Sequence, residues 1–222
     1  MSAQTIVTFV RHPATPKKEE KQGPNTKFGK NGKKDAFLIA SYFLQDPPDH
    51  IMSSEYLRAQ EAAFILRNRL RHQGSAKKPD VTISPLFNEI SRPLVDGKPF
   101  SELDDYFQWR NNIIHHPTRQ NIRSRFKNTG ESYWDLFDMR IGLILDLFSE
   151  PQYSGGKIAV FTHSQLIAMV KTRIELGQSP SPEKLMLTFN RNFPDYSSIN
   201  TFSFTKEGGW TDVDYNYTKH LK

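Results

Sequence analysis

Four short apolar runs punctuate this chain, and the stretches between them carry apolar residues at helical spacing. Thr5-Ile-Val-Thr-Phe-Val10 reads as a strand. Lys33–Gln45 places Ala36, Phe37, Ile39, Ala40, Phe43 and Leu44 on a helical period, and Pro47-Pro48 stops it. A short strand over His50–Ser53 precedes a helix from Leu57 to His72, whose apolar side is Ala59, Ala62, Ala63, Leu66 and Leu70. Val81–Ser84 is a third strand. The segment from Ile90 to Asn128 is irregular and polar, with one or two helices expected around Phe100–Trp109. Gly130-Glu131-Ser132 opens a strong helix. Ser132 and Asp135 make a shortened capping box, and Trp134, Phe137, Ile141, Ile144, Leu145 and Phe148 form the expected buried stripe. Lys157–Thr162 is a fourth strand, Leu166–Leu176 its crossover helix, and Gly177 the stop. Ser198–Phe204 and Trp210–Tyr217, joined through Gly208-Gly209, alternate as an edge hairpin.

Strands alternating with helices imply an α/β fold. The expected form is a three-layer α/β/α arrangement with a mostly parallel central sheet. An antiparallel edge lies near the C-terminus, and a small cap is inserted between Glu89 and Gly130. No Pro/Gly/Ser-rich linker divides the 222 residues, so one domain over 1–222 is expected, with its cap at 91–128.

Composition narrows the chemistry. Cysteine is absent, which removes disulfides, thiolate nucleophiles and cysteine-based zinc sites. No apolar run reaches membrane-spanning length and the N-terminus does not read as a signal peptide, so a cytoplasmic protein without a membrane partner is the default expectation. The net charge is +6 and unevenly placed: Lys17 to Lys34 holds seven lysines against two glutamates, and Tyr106 to Thr129 holds five basic residues and no acidic one. A basic rim of this kind would focus small anionic substrates.

Five residues follow these runs: Arg11 and His12, then Arg58, Glu89 and His163. Ligands of open parallel sheets bind beyond the carboxyl ends of the strands, so these side chains would meet in one pocket. Two imidazoles, two guanidiniums and a carboxyl suit covalent phosphoryl transfer. Arginine forks bind two phosphoryl oxygens at once and stay charged. A neutral imidazole can attack phosphorus, which points to His12, with His163 as a charged donor to the phosphoryl oxygens. Glu89 can protonate the leaving alkoxide and then activate water.

At this point the chain resembles the histidine phosphatase superfamily, the group related to phosphoglycerate mutase. Arg11-His12-Pro13-Ala14-Thr15 is similar to its Arg-His-x-x-Thr segment, and Ser53-Ser54-Glu55-Tyr56-Leu57-Arg58-Ala59 to its Ser-Ser-x-Leu-x-Arg-Ala segment. Leu86-Phe-Asn-Glu89, Gly130-Glu131-Ser132 and Thr162-His163-Ser164 stand where that family has its acid segment, a late helix start and Ser-His-Gly. The resemblance implies His12 as phosphoacceptor, Arg11, Arg58 and His163 as phosphate ligands, Glu89 as proton donor, and no metal or other cofactor. It adds Thr15, Lys18 and Ser164 to the substrate-binding set, with a lysine of Lys17-Lys18 standing in for an asparagine. Departures from the pattern include Pro13, Phe28-Gly29, Tyr56 for leucine and Ser164 for glycine.

The expected activity is hydrolysis of a small phosphomonoester through phosphohistidine. A mutase-type phosphotransferase is the alternative, disfavoured by the moderate length between Glu89 and Gly130. A non-catalytic phospho-ligand module is a second alternative, set against five intact core residues. Nucleic-acid binding through Arg119, Arg123, Arg125 and Lys127 lacks a motif, and His115-His116 lacks a carboxylate at metal-site spacing. Oligomeric state stays open, a homodimer included.

Overall fold

Six strands form one mixed sheet in the order β3-β2-β4-β1-β5-β6. They are β1 (Thr5–Arg11), β2 (His50–Ser53), β3 (Val81–Ile83), β4 (Lys157–Thr162), β5 (Ile199–Thr205) and β6 (Gly209–Tyr217). The computed structural model describes residues 3–15 and 23–222. Pairs β1·β4, β2·β4 and β2·β3 are parallel, while β5 and β6 close one edge antiparallel. The mixed α/β fold and antiparallel C-terminal edge are those expected from the sequence.

Burial explains the strand order. In β1 and β4 nearly every side chain is buried, as both faces of a central strand must be. Their alternate positions feed two cores. Val7, Phe9, Ile158 and Val160 face one layer, together with Phe137, Phe148 and Met169. Val10, Ala159 and Phe161 face the other, together with Ile39, Ala63 and Leu66. Helices α1 (Gly32–Gln45) and α2 (Leu57–His72) cover that second face. The short Ala59, Ala62 and Ala63 side chains let α2 lie close to the sheet. On the first face lie α4 (Ile141–Phe148), α5 (Ser164–Leu176) and α6 (Pro182–Arg191).

The cap is built on α3 (Asp104–His115) and single 3₁₀ turns at Phe100–Glu102, Asn121–Arg123 and Phe126–Asn128. Leu103, Tyr106 and Phe126 give it a small core of its own. Gly130 marks its root. It has φ +71°, and a Cβ there would stand 2.3 Å from the Ser91 carbonyl oxygen, so only glycine fits.

Three elements differ from expectation. The late helix is π-helical over Asp135–Arg140 before α4 begins. A π turn holds extra residues, so the buried stripe changes phase: Tyr133 and Leu136 are fully buried, whereas Trp134 and Leu145 are only partly so. Helix α6 lies between the crossover helix and the edge hairpin, outside the elements expected from the sequence. Ser181 caps it, accepting from the Lys184 amide, and Pro182 occupies its first turn. Helix α5 starts at Ser164, two residues ahead of the expected boundary. Among the described residues no helix is long and apolar enough to cross a membrane.

Candidate active site

Strand register brings the chemistry together. Arg11 pairs with Thr162 across β1·β4, and Ser53 with Phe161 across β2·β4, so residues 12, 54 and 163 leave neighbouring strand ends side by side. The His12 amide donates to the Thr162 carbonyl and the Ser54 amide to the Phe161 carbonyl, which carries the sheet pattern one residue further. His12, Ser54, Arg58 and His163 are all buried.

The loop after β3 is tied to the same centre. Thr162 Oγ1 donates to the Phe87 carbonyl over 2.6 Å. Asn88 accepts from the Glu55 amide at 2.8 Å and donates to the Glu55 carboxylate at 2.9 Å. Arg140 Nη1 donates to the Asn88 carbonyl at 2.7 Å. These bonds fix the backbone beside Glu89. Its carboxylate accepts from the Ile90 amide at 3.2 Å and reaches Ser164 Oγ and the Gln165 amide at 3.5 Å. Burial pushes the Glu89 carboxyl above its ordinary range, against the opposing pull of the Ile90 amide and Arg58.

The hydrogen bonds assign both imidazole tautomers. Arg58 can only donate, and its Nε–H points at His12 Nε2 over 3.0 Å. His12 Nε2 is therefore the acceptor, and Nδ1–H donates to the Pro13 carbonyl at 2.7 Å. Arg58 Nη2 donates to His163 Nδ1 at 3.4 Å, so His163 Nε2–H donates to Ser54 Oγ at 2.8 Å. Burial first, then the Arg58 charge, lowers both histidines well below their ordinary pKa. His163, expected from sequence to be charged, is held neutral here for that reason.

Arg11, His12, Arg58 and Glu89 line one pocket of about 270 Å³, and Ser164 lies on its wall. His163 sits beneath His12, with ring centroids 5.1 Å apart. Thr15 does not line this pocket, and its buried hydroxyl has no hydrogen-bond partner among the described residues. Lys18 lies outside the described residues. Among the described residues no group of three or more His, Asp or Glu side chains is placed to hold a metal ion.

Sequence reasoning missed three participants. Tyr196 lies under the Arg11 guanidinium, 3.6 Å from its ring centroid, and 5.8 Å from the His12 ring. The Pro194 carbonyl accepts from Arg11 Nη1 at 2.6 Å. Tyr56, noted only as a departure, packs edge-on against His163 at 4.8 Å and meets Asp96 from the cap through its hydroxyl. Burial pushes its pKa up to about 12, so it remains a hydroxyl donor.

Residues 7–217 match the family model of the histidine phosphatase superfamily (branch 1), and the chain belongs to that family. No curated protein matches it significantly in sequence. Among solved structures it resembles phosphoglycerate mutase from Bacillus anthracis, at TM-score 0.74 and 16% identity over 99% of this chain and 96% of that one. It also resembles the alpha-ribazole phosphatase of Shigella flexneri, at TM-score 0.71 and 19% identity over 96% of both chains. A third likeness is to a phosphoserine phosphatase mutant of Entamoeba histolytica, with TM-score 0.69 and 21% identity over 98% of this chain and 100% of that one. At these identities the likeness carries the fold.

Proposed function

We propose that this protein hydrolyses small phosphomonoesters through a phosphohistidine on His12, without a metal ion. The observation that carries the reading is the Nε2 lone pair of His12, set by the Pro13 carbonyl on one side of the ring and Arg58 on the other. In the first half-reaction His12 Nε2 attacks phosphorus and the bond from phosphorus to the leaving oxygen breaks. Glu89, whose raised pKa keeps its proton longer than a free carboxyl would, protonates that oxygen. Arg11 and Arg58 bind the phosphoryl oxygens as charge spreads over them, and His163 joins them once the bound dianion lets its Nδ1 take up a proton. In the second half, ionised Glu89 takes a proton from water. The water oxygen forms the new bond to phosphorus, the P–Nε2 bond breaks, and inorganic phosphate leaves.

Turnover of p-nitrophenyl phosphate by wild type and by His12→Ala tests this, with mass spectrometry of substrate-quenched protein kept away from acid. The expected result is a label on His12 and no turnover in the variant. A label on another residue, or undiminished turnover by His12→Ala, overturns it. Transfer of the label to an added phosphorylated sugar acid faster than to water would make the protein a mutase, and absence of turnover on every monoester would make it a binding module.

A further inference from the structure

The cap carries more positive charge than its own partners absorb, and part of that excess faces the catalytic pocket. Arg125 pairs with Asp135 at 3.1 Å and Lys127 with Asp105 at 3.0 Å. Arg123 lies 4.4 Å from the Trp134 ring centroid. Two cations remain on the wall of the catalytic pocket, Lys98 and Arg110, and neither forms an ion pair among the described residues. Arg110 is presented by helix geometry. Leu103 caps α3, and with Tyr106, Phe107 and Arg110 it falls at i, i+3, i+4 and i+7, one face, all four lining the pocket. Asp96 stands on the same wall but does not neutralise them. It meets the Tyr56 hydroxyl and lies in the fields of Arg58 and Arg92.

The scissile phosphoryl group already has Arg11 and Arg58 at the floor. Resting on the phosphatase reading of this pocket, we propose that Lys98 and Arg110 form a second anion site, so that the preferred substrate is a phosphomonoester whose leaving group itself carries a carboxylate or a phosphate. The leaving oxygen must lie against Glu89, and the rest of the leaving group then extends toward the cap wall. A fork and a point charge there match either anion, and charge-assisted bonds of this kind discriminate by about tenfold or more.

The test compares ligands that differ only in the second charge. Calorimetry sets 3-phosphonopropionate against propylphosphonate, and ethylene-1,2-diphosphonate against ethylphosphonate. Turnover sets 3-phosphooxypropionate against propyl phosphate. The expected result is a tenfold or greater advantage for the doubly charged member, collapsing toward unity in the Lys98→Ala/Arg110→Ala protein. It should persist in Arg119→Ala, which removes an exposed cap charge away from the pocket. The larger of the two calorimetric ratios identifies carboxylate or phosphate. Equal affinity and equal turnover within each pair overturn the proposal. So does an advantage that survives the double variant, or one lost equally in Arg119→Ala. A binding advantage without turnover of any monoester leaves the second site standing and removes the phosphatase reading instead.

Discussion

Arg58 donates its Nε–H to the Nε2 atom of His12 over 3.0 Å, covering the lone pair that a phosphorus nucleophile needs. The same guanidinium donates to His163 Nδ1 at 3.4 Å and to the Gly23 carbonyl at 2.9 Å. One planar fork therefore sets both imidazole tautomers, and its charge adds to burial, the larger cause, in keeping both rings neutral. Under the proposed function an arriving phosphoryl group would compete for those N–H bonds and, on taking them, release the lone pair toward itself, so that substrate binding and uncovering of the nucleophile would become one event.

Arg58→Gln keeps an N–H donor but loses the charge and the fork. Its kcat/KM should fall by roughly 10²–10³, the usual loss for a transition-state donor worth about 2.7–4 kcal/mol. Burial would still depress the His12 pKa, but the second-largest cause would be gone, so that pKa should rise relative to wild type. Steady-state kinetics and a histidine NMR titration check both. A loss under tenfold with an unmoved His12 would remove Arg58 from the role given to it.

Under the proposed function Glu89 and His12 bound the pH profile. His12 must be unprotonated, and its lowered pKa moves the acid limb of kcat/KM below about pH 6.5, the free imidazole value. Glu89 must be protonated, and its raised pKa moves the alkaline limb above about pH 4.5, the usual carboxyl range. Glu89→Gln should lower kcat and abolish the alkaline limb. It should also raise Tm at pH 8, where the native carboxylate is ionised in a poor environment. That gain should shrink as pH falls through the raised pKa. An alkaline limb unchanged in the variant would assign it to another group.

Chelation should leave activity intact, because the positive charge at the phosphoryl site comes from Arg11 and Arg58. Turnover before and after EDTA, then with added Mg²⁺ or Zn²⁺, is the measurement. Loss on chelation restored by metal would end the metal-free reading.

Much of this arrangement was legible because it is carried by strand ends. Arg11, His12, Glu89 and His163 each follow an apolar run, and parallel register alone brings the first, second and fourth together. Tyr196 and Pro194 were not legible. They come from the loop before β5, whose path over Arg11 is a tertiary outcome. The Tyr56–Asp96 contact is hidden for the same reason, being made between the start of α2 and the cap. Helix α6 is different, since Ser181-Pro182 followed by Leu185, Met186 and Phe189 carries a full start signal and apolar period. The π turn left no such trace, because a stripe at i, i+3 and i+4 does not reveal an inserted residue.

The capping box at the late helix is reciprocal. The Asp135 amide donates to Ser132 Oγ and the Ser132 amide to Asp135 Oδ2, each at 3.0 Å. Ser132→Ala removes one of these bonds at a fully buried position. The expected cost is about 1 kcal/mol, or roughly 2–4 °C in Tm for a chain of this size. Because neither Ser132 nor Asp135 lines the catalytic pocket, kcat should change little. A Tm within about 1 °C of wild type would mean the cap bond is replaced by another partner.

The two neutral imidazoles also make stability depend on pH, with a definite sign. His12 and His163 have native pKa values well below the ordinary one, so their contribution is fully present above about pH 6.5. As pH falls from there toward the native values, the unfolded chain takes up protons that the native chain does not. Stability is then lost at up to about 1.4 kcal/mol per pH unit for each such group. Glu89 acts in the opposite sense, since its raised pKa makes the native state the stronger proton binder as the medium becomes acidic. The difference between wild type and His12→Gln/His163→Gln isolates the imidazoles. Urea unfolding from pH 7.5 to 5 should show wild type losing stability more steeply than the double variant, by up to about two protons. Vanadate or phosphate should blunt the wild-type slope, because an anion bound to the native state offsets the loss by mass action and lets the rings accept a proton. Equal slopes for the two proteins would mean that these histidines are already charged in the native state.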